Sequence, residues 1–254
     1  MTNVKIKVSN LHKSFGTHAV LQGIDLEVKE GSSMVILGGS GTGKSVLIKT
    51  IIGLIMPDSG KIAIDGQDTT YLSGKARFSI LEKCGFLFQA GALFDSLTIE
   101  DNITFFAEKL HQLSRSKKRD LAAEKLHAVG LHSNVLELFP AELSGGMQKR
   151  VSLARAIATN PEIIFFDEPT TGLDPIMANV INDLIIKARK DLGATTVTIT
   201  HDMNSAMQIA TEVAMIYEGK ILWTGTKEEV QKSKNPHLHQ FINGLTEGPI
   251  KVDV

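Results

Sequence analysis

The sequence predicts an α/β fold with an N-terminal β layer and an inserted helical subdomain. Short apolar runs of strand length alternate with helix-length segments along much of the chain. One run, Met34–Leu37, passes through a glycine-rich turn straight into the helical pattern Val46–Ile52. Between about residues 90 and 160 the composition turns helical and interrupts that alternation.

Val4, Ile6 and Val8 alternate with polar residues, as do Ile24, Leu26 and Val28, which predicts two strands of the β layer. Lys13–His18 between them reads as a turn carrying the aromatic Phe15, either a packing residue or a ring on which a base could stack. Gly38-Gly39-Ser40-Gly41-Thr42-Gly43-Lys44-Ser45 then follows a buried strand and opens a helix. That context makes a G-x-x-x-x-G-K-[ST] string a phosphate-binding P-loop rather than a simple turn. The glycines let backbone N–H groups curl around a phosphate, and the helix start at Lys44, Ser45 and Val46 adds partial positive charge. Lys44 is expected to reach the β- and γ-phosphates and the Ser45 hydroxyl to sit on Mg²⁺, which makes a nucleoside triphosphate such as ATP the ligand.

Met56–Gly60 is a breaker cluster, Lys61–Gly66 a strand ending in a turn, and Gly85–Phe88 another strand that ends on the polar Gln89. Ser116–Asp120 opens a helical segment closed by Gly130, and the basic patch Arg115–Arg119 is a solvated helix start or a lipid-headgroup contact. Ser144, Gly145 and Gly146 precede a helix that ends at Asn160-Pro161, and serve as an N-cap or as a second anion site. Ile163–Phe166 is an apolar strand ending in Asp167 and Glu168. An acid at the carboxyl end of such a strand suits Mg²⁺, so Asp167 is the expected metal ligand and Glu168 the base for an attacking water. Thr195–Thr200 ends on His201, a donor for a γ-phosphate, and Val213–Tyr217 with Lys220–Trp223 reads as a hairpin around Glu218-Gly219. Two short helical patterns complete the tail, where His237 and His239 read as surface residues because no carboxylate or cysteine set surrounds them.

A chain of 254 residues, 43% of them hydrophobic, has ample material for a buried core, which excludes disorder of the whole. The net charge of −1 provides no basic field for nucleic acid. One cysteine, Cys84, cannot form an internal disulfide and fits a reducing compartment. No run approaches the roughly 18 apolar residues of a membrane-spanning helix, and the N-terminus shows no signal or transit pattern. Any membrane role is expected to come through a partner.

Taken together these segments resemble the nucleotide-binding subunit of an ABC transporter across essentially the whole chain. Gly38–Ser45 resembles Walker A, Gln89 the Q-loop, Leu143–Met147 the signature, and Ile163–Glu168 Walker B. Thr171-Gly172-Leu173-Asp174 matches the D-loop and His201 the switch histidine. The resemblance implies a P-loop NTPase core with an ABC-type antiparallel β layer. It makes residues 1–254 one ATPase domain: a RecA-like core with the β layer at 1–89 and 161–225, a helical subdomain at about 90–160, and a tail at 226–254. It implies a head-to-tail homodimer in which Ser144, Gly145 and Gly146 of one copy meet the ATP held by the other copy's P-loop. Phe15 becomes the adenine-stacking aromatic, Asp174 a nucleotide-site residue, Gln89 a γ-phosphate sensor and metal ligand beside Ser45 and Asp167, and Lys44, Gln89, Glu168 and His201 the catalytic group.

Met147 stands where the signature commonly has Gln. That variant, the loop Gly38–Ser45 and the segment Phe241–Ile250 resemble the Mla/Mce branch, whose ATPases energise lipid movement between bacterial inner and outer membranes. The resemblance implies an MlaE-like integral-membrane permease partner, with a periplasmic MCE-domain protein and a small regulatory subunit in the same complex. It places the chain peripherally on the cytoplasmic face of the inner membrane. An ATPase for a small polar solute and a soluble non-transport ABC protein are the competing readings.

Overall fold

The computed structural model describes residues 3–251, so residues 1–2 and 252–254 of the expected domain lie outside it. In chain order it contains β1 (Val4–Phe15), β2 (His18–Lys29), β3 (Ser33–Leu37), α1 (Lys44–Ile51), β4 (Ser59–Ile64) and β5 (Gln67–Asp68). Next come α2 (Gly74–Leu81), β6 (Cys84–Leu87), α3 (Ile99–His111), α4 (Arg115–Ala128), α5 (Gly145–Ala156), β7 (Ile163–Asp167) and α6 (Pro175–Leu192). The last are β8 (Thr195–Thr200), α7 (Met203–Ile209), β9 (Glu212–Tyr217), β10 (Lys220–Thr226), α8 (Lys227–Val230) and α9 (Pro236–Asn243). These elements divide into two compact units, one comprising the residues up to Ser73 and from Val197 onward, the other Gly74–Thr196.

The first unit begins with the β1–β2 hairpin, extended by β4 and β5 in the order β2-β1-β4-β5, all antiparallel. Ile6, Val8, Ile24, Leu26 and Val28 are buried, as the alternation in their strands requires when one face meets the core. The turn is shorter than Lys13–His18, because the ladder continues through Lys13↔Leu21 to Phe15↔His18. Only Gly16 and Thr17 remain outside it, and Gly16 takes the left-handed conformation at φ 59. A second sheet places β3 parallel to β9, Met34↔Glu212 through Leu37↔Met215, with β10 antiparallel on the far side of β9. Val197–Thr200 of β8 lie next to β3. Every residue of β3 is buried, which explains its unbroken apolar run. Glu218 and Gly219 turn the β9–β10 hairpin, both at positive φ.

In the second unit β6 and β7 run parallel, Cys84↔Ile163 through Leu87↔Phe166, and the Phe86 and Phe165 rings stack at 5.4 Å. A Cβ on Gly85 would fall 2.1 Å from the Ala156 carbonyl oxygen, so a glycine is what allows α5 to close on β6. Ser and Thr begin three of the helices: Thr98, Ser114 and Ser144 cap α3, α4 and α5 through their hydroxyls. The basic start of α4 ties it to α3, since Lys118 pairs with Asp101 at 2.6 Å and with Glu108 at 3.0 Å. Among the described residues no helix is long and apolar enough to cross a membrane.

Candidate nucleotide site

In the first unit the loop leaving β3 is shaped by its glycines. A Cβ on Gly38 would stand 2.6 Å from the Ile216 carbonyl oxygen, and Gly43 holds φ 99 with Val20 and Leu21 closing on its Cα. The Thr42 hydroxyl donates to Gly39 O at 2.9 Å and tightens the turn. Helix α1 then starts at Lys44 without a side-chain cap and with no acid in its first turn. Its first N–H groups and the positive end of its dipole are therefore not neutralised by its own side chains. Lys44 is buried, and its ammonium donates to Gly38 O and Gly39 O, both at 2.7 Å. Ser40 and Gly41 are exposed at the tip, while Ser45 and Val46 are half-buried in the first helical turn.

Phe15 ends β1 with half of its surface in solvent, and the Lys13 ammonium lies 5.4 Å from its ring centroid. Half of the ring stays accessible, which is compatible with stacking on a base. His201 is exposed directly after β8, and Asp202 beyond it caps α7 by accepting from the Asn204 and Ser205 N–H groups.

In the second unit the parallel register pairs Leu87 with Phe166, so the two strands end nearly level, Gln89 following two residues after β6, Asp167 closing β7 and Glu168 coming directly after it. Gln89 is exposed, whereas Asp167 and Glu168 retain only 9% and 8% of their accessible surface. Glu168 holds φ 49, a left-handed backbone that costs a non-glycine residue about 1 kcal/mol or more. Its Oε2 accepts from the Thr171 hydroxyl at 3.0 Å, which fixes the carboxylate's direction. Ser144 caps α5 by accepting from Met147 N–H at 3.3 Å, and Ser144 and Gly145 face solvent. A Cβ on Gly146 would come within 2.8 Å of the Met177 side chain of α6. Asp174 caps α6, its Oδ1 accepting from Ile176 and Met177 N–H at 2.9 and 3.0 Å.

Phe15, Gly38–Val46 and His201 thus belong to the first unit, and Gln89, Ser144–Gly146, Asp167, Glu168 and Asp174 to the second. The N-cap and anion-site readings of Ser144 are compatible, because the cap uses one hydroxyl lone pair and leaves the helix start exposed. The second unit also holds residues that sequence reasoning passed over. Buried Lys149 donates to Gln89 O, and burial pushes its ammonium below the usual lysine range while Asp167 and Glu168 pull it back up. Thr171 orients Glu168, and Arg155 donates to Gly91 O and Ala92 O at 2.6 and 2.7 Å. A signal for Lys149 and Arg155 was present in their spacing with Ser152 along one helix face.

The donors expected for Mg²⁺, the Ser45 hydroxyl, the Gln89 amide oxygen and the Asp167 carboxylate, are the hard oxygens that ion takes. Among the described residues no group of three or more His, Cys, Asp or Glu side chains gathers as a metal site. His237 of the tail pair lies against Tyr217 at 5.3 Å between ring centroids.

A glycine loop that opens a helix, with paired acids ending a buried parallel strand, defines a phosphate-binding α/β fold of the P-loop NTPase class. The family described as ABC transporter matches residues 21–171. The chain is 40% identical to the probable ribonucleotide transport ATP-binding protein mkl of Mycobacterium leprae, over 97% of this chain and 71% of that protein. It is 39% identical to the intermembrane phospholipid transport system ATP-binding protein MlaF of Haemophilus influenzae, over 97% of this chain and 93% of that one. Among solved structures, the dimeric ATP-binding cassette MJ0796 in a post-hydrolysis state bound to ADP and Pi is similar with a TM-score of 0.81. The identity there is 31%, covering 87% of this chain and 98% of the other. The chain belongs to the ABC transporter family.

Proposed function

We propose that this chain is the ATP-hydrolysing subunit of a bacterial ABC transporter that energises phospholipid transport between inner and outer membranes. The observation that supports the ATPase reading is the β6–β7 register, with Gln89 following one strand and Asp167 and Glu168 at the end of its parallel neighbour. For phospholipid, the support is the near full-length similarity to the H. influenzae MlaF protein.

In this reading Phe15 stacks on adenine while Gly38–Val46 wrap the phosphates with backbone N–H groups. Lys44 supplies a positive charge to the β- and γ-phosphates. Glu168, aimed by Thr171, accepts a proton from the attacking water, and Gln89 and His201 position that water and the γ-phosphate. Ser45, Gln89 and Asp167 would hold Mg²⁺, which would supply positive charge against the triphosphate. Ser144 and Gly145 face solvent and Gly146 is half-buried behind them, so their helix start is available to a second copy in a head-to-tail homodimer. Asp174 stands at the adjacent helix start and joins that shared site.

Residues 90–160 act as a helical subdomain in the 1–89 and 161–225 core, with 226–254 as a tail. The dimer drives an integral-membrane permease from the cytoplasmic face of the inner membrane, with an MCE-domain protein and a regulatory subunit as further partners. Glu168→Gln is expected to lower turnover at least about a hundredfold while ATP affinity is retained, and near-normal hydrolysis would remove Glu168 from the mechanism. The load is tested by purifying the chain with its membrane partner and identifying the co-bound molecule. Phospholipid supports the proposal; turnover stimulated by a ribonucleotide or another polar solute in a lipid-free complex would overturn it.

A further inference from the structure

Helix α5 presents one face to the turn that follows β6, and the contacts recur at intervals of three residues. Lys149 donates its ammonium to the Gln89 carbonyl oxygen. Ser152 lies where a Cβ on Gly91 would come 2.6 Å from its Oγ, so the turn passes close against the helix at a glycine. Arg155 closes the row by donating to Gly91 O and Ala92 O, with its guanidinium 5.9 Å from the Phe94 ring centroid. Gly91 and Ala92 both hold positive φ, at 74 and 49. For Ala92 that conformation is unfavourable and must be maintained by its surroundings. Three successive rungs on a rigid rod provide that constraint.

The first rung differs from the others in what else it senses. Lys149 is 8% exposed, and the carboxylates of Asp167 and Glu168 act on its charge. Burial disfavours the charge of that ammonium, and the two carboxylates oppose the effect. Lys149 also sits five residues from Ser144, about 7.5 Å along the same helix. One side chain therefore joins the helix that begins at the signature, the backbone of Gln89, and the field around the proposed base.

We infer that Lys149 is a positioning residue: it locks the Gln89 backbone to α5, so that Gln89 and the Ser144–Gly146 helix start move as one body. The inference rests on the roles proposed above for Gln89, Ser144 and Glu168. It goes beyond them because it gives the coupling between them to a residue that touches no substrate.

The test compares Lys149→Met, which keeps the length and removes the charge, with Lys149→Arg, which keeps the donor, in the full chain. Steady-state ATPase is followed as kcat and KM for MgATP, with thermal unfolding to establish that both variants fold. Lys149→Met is expected to lose about tenfold in kcat while KM stays within about twofold, because the Gly38–Ser45 loop is unaltered. Lys149→Arg is expected to return kcat to within about threefold of the parent. Unchanged kcat in Lys149→Met, or an arginine variant no better than the methionine one, overturns the inference. So does a loss confined to thermal stability. Glu168→Gln assayed in parallel separates the two levels. A dead Glu168→Gln beside an active Lys149→Met refutes only the positioning role, whereas an active Glu168→Gln refutes the functional reading and this inference with it.

Discussion

Glu168 carries its carboxylate on a left-handed backbone, and the Thr171 hydroxyl holds one of its oxygens. Strain and a directed hydrogen bond at the same residue are what a base with a fixed target requires. Thr171→Val removes that bond at nearly constant volume and is expected to lower kcat about tenfold or more, roughly the value of one hydrogen bond to a charged group, with ATP affinity unchanged. Steady-state kinetics against nucleotide titration checks the split. Gly38→Ala acts differently, because its Cβ would meet a backbone oxygen of β9 that cannot move aside. It is expected to destabilise the fold by about 1–3 kcal/mol and to weaken ATP binding, read by urea unfolding and nucleotide titration. The residue types at these positions were legible in the sequence, since a glycine loop before a helix and acids after an apolar run have few other uses. The left-handed φ of Glu168 and the contact of Lys149 with Gln89 were not, because both are set by neighbours distant in sequence.

Between α3 and α4 the connection is electrostatic at its exposed edge. The Lys118 hydrogen bond, with help from Thr98, holds the Asp101 carboxyl below its ordinary value of 3.8. A depressed carboxyl pKa adds stability above 3.8, and that contribution is lost as pH falls through the lower, folded value. Asp101→Asn is therefore expected to cost about 0.5 kcal/mol near neutral pH, a figure kept small by solvent screening, and progressively less in acid. Urea unfolding of parent and variant at neutral pH and at a pH below 3.8 checks this, and an equal deficit at both would contradict it. Ser144→Ala removes the α5 cap and is expected to cost about 1 kcal/mol. Strand and helix identities could be read from periodicity, as for Thr195–Thr200, whose bounds the structure reproduces. The length of the β1–β2 hairpin could not, because its ladder runs on through Lys13–Phe15, where hydropathy no longer alternates.

At the scale of the whole molecule, the phosphate loop and the Ser144 helix start belong to different compact units of one chain. The Ser144 end faces solvent, and its backbone donors are well suited to charge that develops on a phosphate. In the proposed homodimer each copy carries both halves of a site that two copies complete. On that proposal isolated monomers are expected to bind ATP and to hydrolyse it poorly. The most direct measurement is ATP turnover per chain across a dilution series, with the fraction of dimer followed in the same samples by light scattering. Turnover per chain should rise with the dimer fraction from near zero to a plateau, while ATP binding stays constant. Full turnover per chain in samples that scatter as monomers would contradict the account.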